Sequence, residues 1–143
     1  MDMHPDALPL RNVLCPIDFS ESSRGSLRHA AVMAGRSGAT LTVLTVNDPL
    51  LAQAADMAEG DGSLERQARR ETERFISDTF DSGRSVPAVN IEVATGTPAV
   101  EILRVAGAAP TDLIVMSSRG ATGLRSSPWA RPGWAPTVRR LPA

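Results

Sequence analysis

Short apolar runs alternate along this chain with longer segments whose apolar residues recur every three or four positions. Asn12-Val13-Leu14-Cys15-Pro16-Ile17 is an apolar run closed by Asp18, the pattern of a strand buried on both faces. Ser20 then caps a helix reaching about Ser37, with Leu27, Ala30, Ala31 and Ala34 at helical spacing, and Gly38 breaks it. Thr40-Leu41-Thr42-Val43-Leu44-Thr45-Val46 is β-branched at most positions and predicts a second strand, ended by Asn47-Asp48-Pro49. Residues 50–62 are loosely patterned and contain Gly60-Asp61-Gly62, which predicts a mobile loop. From Ser63 a helical period returns. Leu64, Ala68, Phe75, Ile76 and Phe80 share one side, while Glu65, Arg66, Arg69, Arg70, Glu73 and Arg74 form a solvated face. Val89-Asn90-Ile91-Glu92-Val93-Ala94-Thr95 alternates apolar and polar residues, which places this strand at a sheet edge. Thr97-Pro98 is a hydroxyl cap followed by proline at the first helical position. The helix it opens has Ala99, Ile102, Leu103 and Ala106 as its expected buried stripe, and Gly107 to Pro110 stops it. Asp112-Leu113-Ile114-Val115-Met116 is the fourth strand, running into the hydroxyl- and glycine-rich stretch Ser117-Ser118-Arg119-Gly120-Ala121-Thr122-Gly123.

The order is β-α-β-α-β-α-β, with connections long enough for right-handed crossovers. It predicts one α/β domain over residues 1–143, an open, mainly parallel, doubly wound sheet with helices on both faces. Ligands of such sheets sit beyond the carboxyl ends of the strands, where the winding reverses. With strands one and four as neighbours, Asp18 and the loop from Ser117 to Gly123 face each other across that crevice. Two readings stand for each group. Asp18 is a ligand contact or a helix-entry residue beside Ser20. Gly120 and Gly123 present amides to an anion or are turn glycines.

Composition narrows the choice by exclusion. A net charge of −1 gives no field to recruit nucleic acid or anionic lipid. Aromatic residues are 3% of the chain, without tyrosine, so the stacking platforms of single-strand binders are missing. Cys15 is the one cysteine and lies inside an apolar strand, as a small core residue does. The acidic start, Met1-Asp2, and the lack of a long apolar run predict a cytoplasmic protein without signal peptide or membrane span. His4 and His29 are far apart, and no cysteine or carboxylate cluster has metal-ligand spacing. His29 is expected at the surface. Ser20, Ser22 and Ser23 are expected as cap and first-turn residues. Neither a nucleophile elbow nor a Walker-type loop is present.

Val13-Leu14-Cys15-Pro16-Ile17-Asp18-Phe19-Ser20, Leu41-Thr42-Val43-Leu44-Thr45-Val46, Gly96-Thr97-Pro98 and Asp112 to Met116 with Arg119-Gly120-Ala121-Thr122-Gly123-Leu124 together resemble the universal stress protein family, over roughly residues 10–125. The resemblance implies a five-stranded sheet of order 3-2-1-4-5, often dimeric through the fifth strand. Some members bind ATP and others do not. In binders, an aspartate after strand one holds the nucleoside, a role falling here on Asp18 with Pro16 and Ile17 beside it. Val46 would lie by the adenine. Ser117, Arg119, Gly120 and Gly123 would lie by the phosphates of an ATP, with or without magnesium, and Met116 would also contact the nucleotide.

The family's phosphate pattern is Gly, two residues, Gly, nine residues, then Gly followed by Ser or Thr. Here Ser117 stands at the first glycine, Gly120 matches the second, and Ala130-Arg131 replaces the end. Each lost hydrogen bond to a charged group is worth roughly 1.5–3 kcal/mol, so ATP affinity is expected to be weak or lost. Residues 126–143 form an atypical tail with four prolines. It reads as a truncation or changed reading frame, with order 3-2-1-4 and the fifth strand missing. That would bare the edge of strand four and favour a homo-oligomer. The leading expectation is a stress-response module that binds adenine nucleotide. The alternative is a nucleotide-free dimerising scaffold. An enzymatic role beyond slow ATP hydrolysis is not expected, since no base or nucleophile other than Asp18 is evident. Binding to nucleic acid or membrane is not expected.

Overall fold

The computed structural model describes residues 10–80, 88–117 and, by backbone alone, 136–140. The elements are β1 (Asn12–Ile17), α1 (Glu21–Ser37), β2 (Thr40–Asn47), α2 (Pro49–Glu59), α3 (Ser63–Thr79), β3 (Val89–Thr95), α4 (Pro98–Ala108), β4 (Leu113–Ser117) and β5 (Pro136–Arg140). They form one sheet of order β3-β2-β1-β4-β5. The first four strands are parallel, as expected, and β3 is at the edge.

The fifth strand, expected to be missing, is present: β5 pairs antiparallel with β4 from Leu113↔Arg140 to Ser117↔Pro136. A parallel fifth strand would need a crossover, which the prolines discourage. An antiparallel one returns from the same end of the sheet and needs none. Pro136 stands at the first strand position, where proline is tolerated. The β4 edge is therefore paired, and self-association through a bare β4 edge loses its basis.

Ser20 caps α1 by accepting from Ser23 N–H at 3.1 Å, and Gly38 ends it at φ 65°. The loop expected over residues 50–62 is instead largely helix. Asp48 caps α2, its Oδ1 accepting from Leu50 N–H at 2.8 Å and Leu51 N–H at 3.3 Å, with Pro49 at the first position. None of the α2 residues is buried, so no amphipathic period marks this helix in the sequence.

Alternate strand residues divide the core. Val13, Cys15, Leu41, Val43, Leu113 and Val115 meet α1, through Leu27, Ala30 and Ala34, and α3, through Phe75. Leu14, Leu44, Ala94 and Ile114 meet Ala106 of α4, with Ile102 and Val105 half-buried beside it. The expected α4 stripe holds at Ile102 and Ala106 and is corrected at Ala99 and Leu103, which are exposed while Val105 turns inward. Two apolar stripes compete on so apolar a helix, and packing chooses between them. Cys15 is fully buried, and burial pushes its thiol up to about 12. The charged face of α3 is exposed as expected. On its inner side Thr72 donates to Ala68 O at 2.7 Å and lies 2.8 Å from Thr45 Oγ1, so this buried polar pair is satisfied. His29 is exposed on α1. No described helix is long and apolar enough to cross a membrane.

Candidate functional site

At their amino ends β1 and β4 are tied together. The Asp112 carboxylate accepts from Arg11 N–H at 2.8 Å and Asn12 N–H at 3.0 Å, and the Asn12 amide donates to Pro110 O at 2.8 Å. The ladder then covers only Val13↔Leu113 and Leu14↔Ile114, although β1 pairs with β2 as far as Ile17. Arg11 O accepts from Thr40 N–H and Asn12 O from Asp112 N–H. Odd residues of β1 thus turn their peptide groups to β2, and even ones to β4. The next pair, Cys15 opposite Val115, needs an N–H at position 16 for the Val115 carbonyl. Pro16 has none. The hydrogen-bonded ladder of the two central strands therefore stops short of their carboxyl ends, at the point where the winding reverses.

Asp18 stands at the mouth of this crevice. Its Oδ1 accepts from Ser20 N–H at 3.1 Å and from the hydroxyls of Ser20 and Ser23. Asp18 N–H in turn donates to Ser23 Oγ at 3.0 Å. Between them Phe19 takes φ 64°, a left-handed conformation rare for a bulky residue. Its ring meets Phe75 edge-on at 5.6 Å, and the Arg24 guanidinium lies 4.4 Å from the Phe75 centroid while donating to Thr79 Oγ1. The turn that aims Asp18 is thus held by α1 and α3 together.

The other sequence candidates divide between the two faces. Strand alternation puts Pro16, Val46 and Met116 on the α4 face, the last two packed against its core. Ile17 and Ser117 lie on the α1 face, both buried. Arg119, Gly120 and Gly123 lie outside the described residues. Two features were missed from sequence. Ser23 lies in the first turn of α1 as expected, and it is also buried and holds Asp18; the spacing Asp-x-Ser-x-x-Ser is the trace of that second role in the sequence. Asn47, at the end of β2, has a buried Nδ2 with no hydrogen-bond partner. A cavity of about 740 Å³ lies elsewhere, at the amino ends of the strands between β3 and α4, bordered by Asn12, Thr42, Asn90, Glu92 and Arg104. The crevice is the better candidate, because a doubly wound sheet aims its loops at the carboxyl ends. Among the described residues no group of three or more His, Cys, Asp or Glu is placed to hold a metal.

Residues 9–128 match the model of the universal stress protein family. The chain belongs to that family. Universal stress protein UspA from Lactobacillus plantarum is 26% identical with a TM-score of 0.60, over 86% of this chain and 84% of that one. The hypothetical protein MJ0577 superposes with a TM-score of 0.63 at 24% identity, over 81% and 80% of the two chains. A universal stress protein solved in complex with cAMP superposes at 0.53 with 18% identity, over 75% and 72%. No curated protein matches the chain. The universal stress protein fold thus carries its reversal point here between Pro16 and Val115.

Proposed function

We propose that this universal stress protein is a cytoplasmic stress-response module that binds an adenine nucleotide, weakly, between the carboxyl ends of β1 and β4. The observation that carries the reading is the ladder that stops at Leu14↔Ile114 with Asp18 at its open end. In this reading Asp18 meets the nucleoside, with Pro16 and Ile17 beside it, and Val46 and Met116 supply apolar contact on the α4 side. Ser117, Arg119, Gly120 and Gly123 serve the phosphates, with magnesium when ATP is the ligand. A fold relative has been solved with cAMP, which supports an adenine nucleotide as the ligand class. Ala130-Arg131, in place of Gly followed by Ser or Thr, supports weak affinity.

A second reading, a nucleotide-free dimerising scaffold, is favoured by one observation. Three local donors converge on Asp18 Oδ1, as a helix-entry role alone would require. Thermal denaturation against ATP, with and without magnesium, and against cAMP separates the two. Saturable stabilisation that Asp18→Asn weakens supports nucleotide binding. No shift at millimolar nucleotide, with a dimer that forms as concentration rises, supports the scaffold.

A further inference from the structure

Asn47 is the last residue of β2, and the chain around it is fixed. Its carbonyl accepts from Gly96 N–H at 3.0 Å, and Asp48 behind it caps α2. The ladder sets Ile17 opposite Thr45. One and two residues on, Val46 and Asn47 are therefore level with Asp18 and Phe19, the turn at the mouth of the crevice. Alternation puts Val46 on the α4 face and Asn47 on the face of Thr45. Thr45 finds a partner there, Thr72, at 2.8 Å. Asn47 does not: the residue is half-buried, its Nδ2 is shut off from solvent, and that nitrogen has no hydrogen-bond partner among the described residues. Buried donors in folded proteins are nearly always paired, and an apolar side chain at this position would leave no donor unsatisfied. An unpaired amide has one further property. Turning it about its side-chain bonds toward an incoming acceptor makes a hydrogen bond and breaks none.

We propose that Asn47 reads the base of the bound nucleotide, its amide swinging out to donate to a ring nitrogen of the purine while Val46 packs on the ring. The inference rests on the nucleotide reading above and adds to it the residue that engages the edge of the base. The orphaned atom is a donor, so its ligand must bring an acceptor. The ring nitrogens of adenine are acceptors, whereas its exocyclic amine is a donor and cannot serve. The tip of β2 thus offers a flat base an apolar contact from Val46 and, from the adjacent residue, one directional contact.

The test titrates the intact protein with ATP and with its 1-deaza, 3-deaza and 7-deaza forms, each of which replaces one ring nitrogen by C–H, and reads binding by thermal shift. Asn47→Leu removes the donor and keeps a branched side chain; Asn47→Ala is the second variant should leucine prevent folding. Ligand-free Asn47→Leu is expected to melt no lower than the parent and to bind ATP about tenfold more weakly. One deaza form is expected to bind the parent about tenfold more weakly than ATP does, and to bind the variant as well as ATP does. If ATP does not stabilise the parent, the nucleotide reading falls and takes this inference with it. If the parent binds ATP and both variants bind it equally well, Asn47 alone is overturned, and a buried water meets its amide. If the variants bind ATP more weakly but every deaza form loses the same factor in parent and variant, the contact is overturned and Asn47 only supports the strand end.

Discussion

At the residue scale, Asp18 and Cys15 show how neighbouring positions take opposite roles. Asp18 ends the strand among hydroxyls and amides, so its geometry is set by donors that sit two and five residues away. Ser23 completes this set because it is one helical turn past the cap, which buries it while keeping its hydroxyl on Asp18. Cys15 lies in the core against α1 and α3. Its thiol is pushed from 9.0 to about 12 by burial. Folding therefore favours the protonated thiol, while the unfolded chain releases its proton near pH 9. Stability from this group is complete below about pH 9 and is lost as pH rises toward 12. Urea unfolding between pH 8 and 11 should show a falling midpoint that flattens in Cys15→Ala. An unchanged alkaline slope in that variant would mean that other groups govern the decline.

At the element scale, what was legible in the sequence is what the core imposes on both faces. β1, β2 and β4 were readable as apolar runs buried on both faces, β3 by its alternation, and α1 and α3 by buried positions at period 3.6, with Ser20, Gly38 and Pro98 marking helix ends. α2 was not, because none of its residues is buried and Leu50, Leu51 and Met57 face solvent at 75%, 64% and 83% exposure. Its signal is local, the Asp48 cap followed by Pro49, and the same pair equally suits the end of a strand. β5 was hidden for a different reason: an antiparallel return carries no crossover helix to announce it. Sequence names Pro16, Asp18, Val46 and Met116 as candidates, whereas the contact of buried Ser23 with Asp18 and the buried amide of Asn47 needed coordinates. A helix held this way should also be the first to open. Amide hydrogen exchange over Pro49–Glu59 is expected to be faster than in α1 or the inner half of α3. Slow, cooperative exchange of α2 with α3 would show that the two act as one unit.

At the scale of the whole molecule, the sheet is asymmetric about β1, and the proposed site lies on the less bonded side. β1 is bonded to β2 along its full length but to β4 only at its start, so the β1–β4 seam is tied by Asp112 at one end and lacks ladder bonds at the other. Proline at position 16 is the chemical cause. Pro16→Ala restores an N–H aimed at the Val115 carbonyl and should extend the ladder by a pair. The gain is one hydrogen bond of about 1 kcal/mol, set against the added freedom of the unfolded chain when proline is lost, which is of similar size. The melting temperature should therefore change little. The crevice should narrow, and stabilisation by ATP should diminish relative to the parent. A protected amide at residue 16, read by hydrogen exchange, would show that the seam has zipped. If that amide exchanges freely and ATP stabilises the variant as before, the separation of β1 from β4 is imposed by the turn at Phe19 and not by the missing donor.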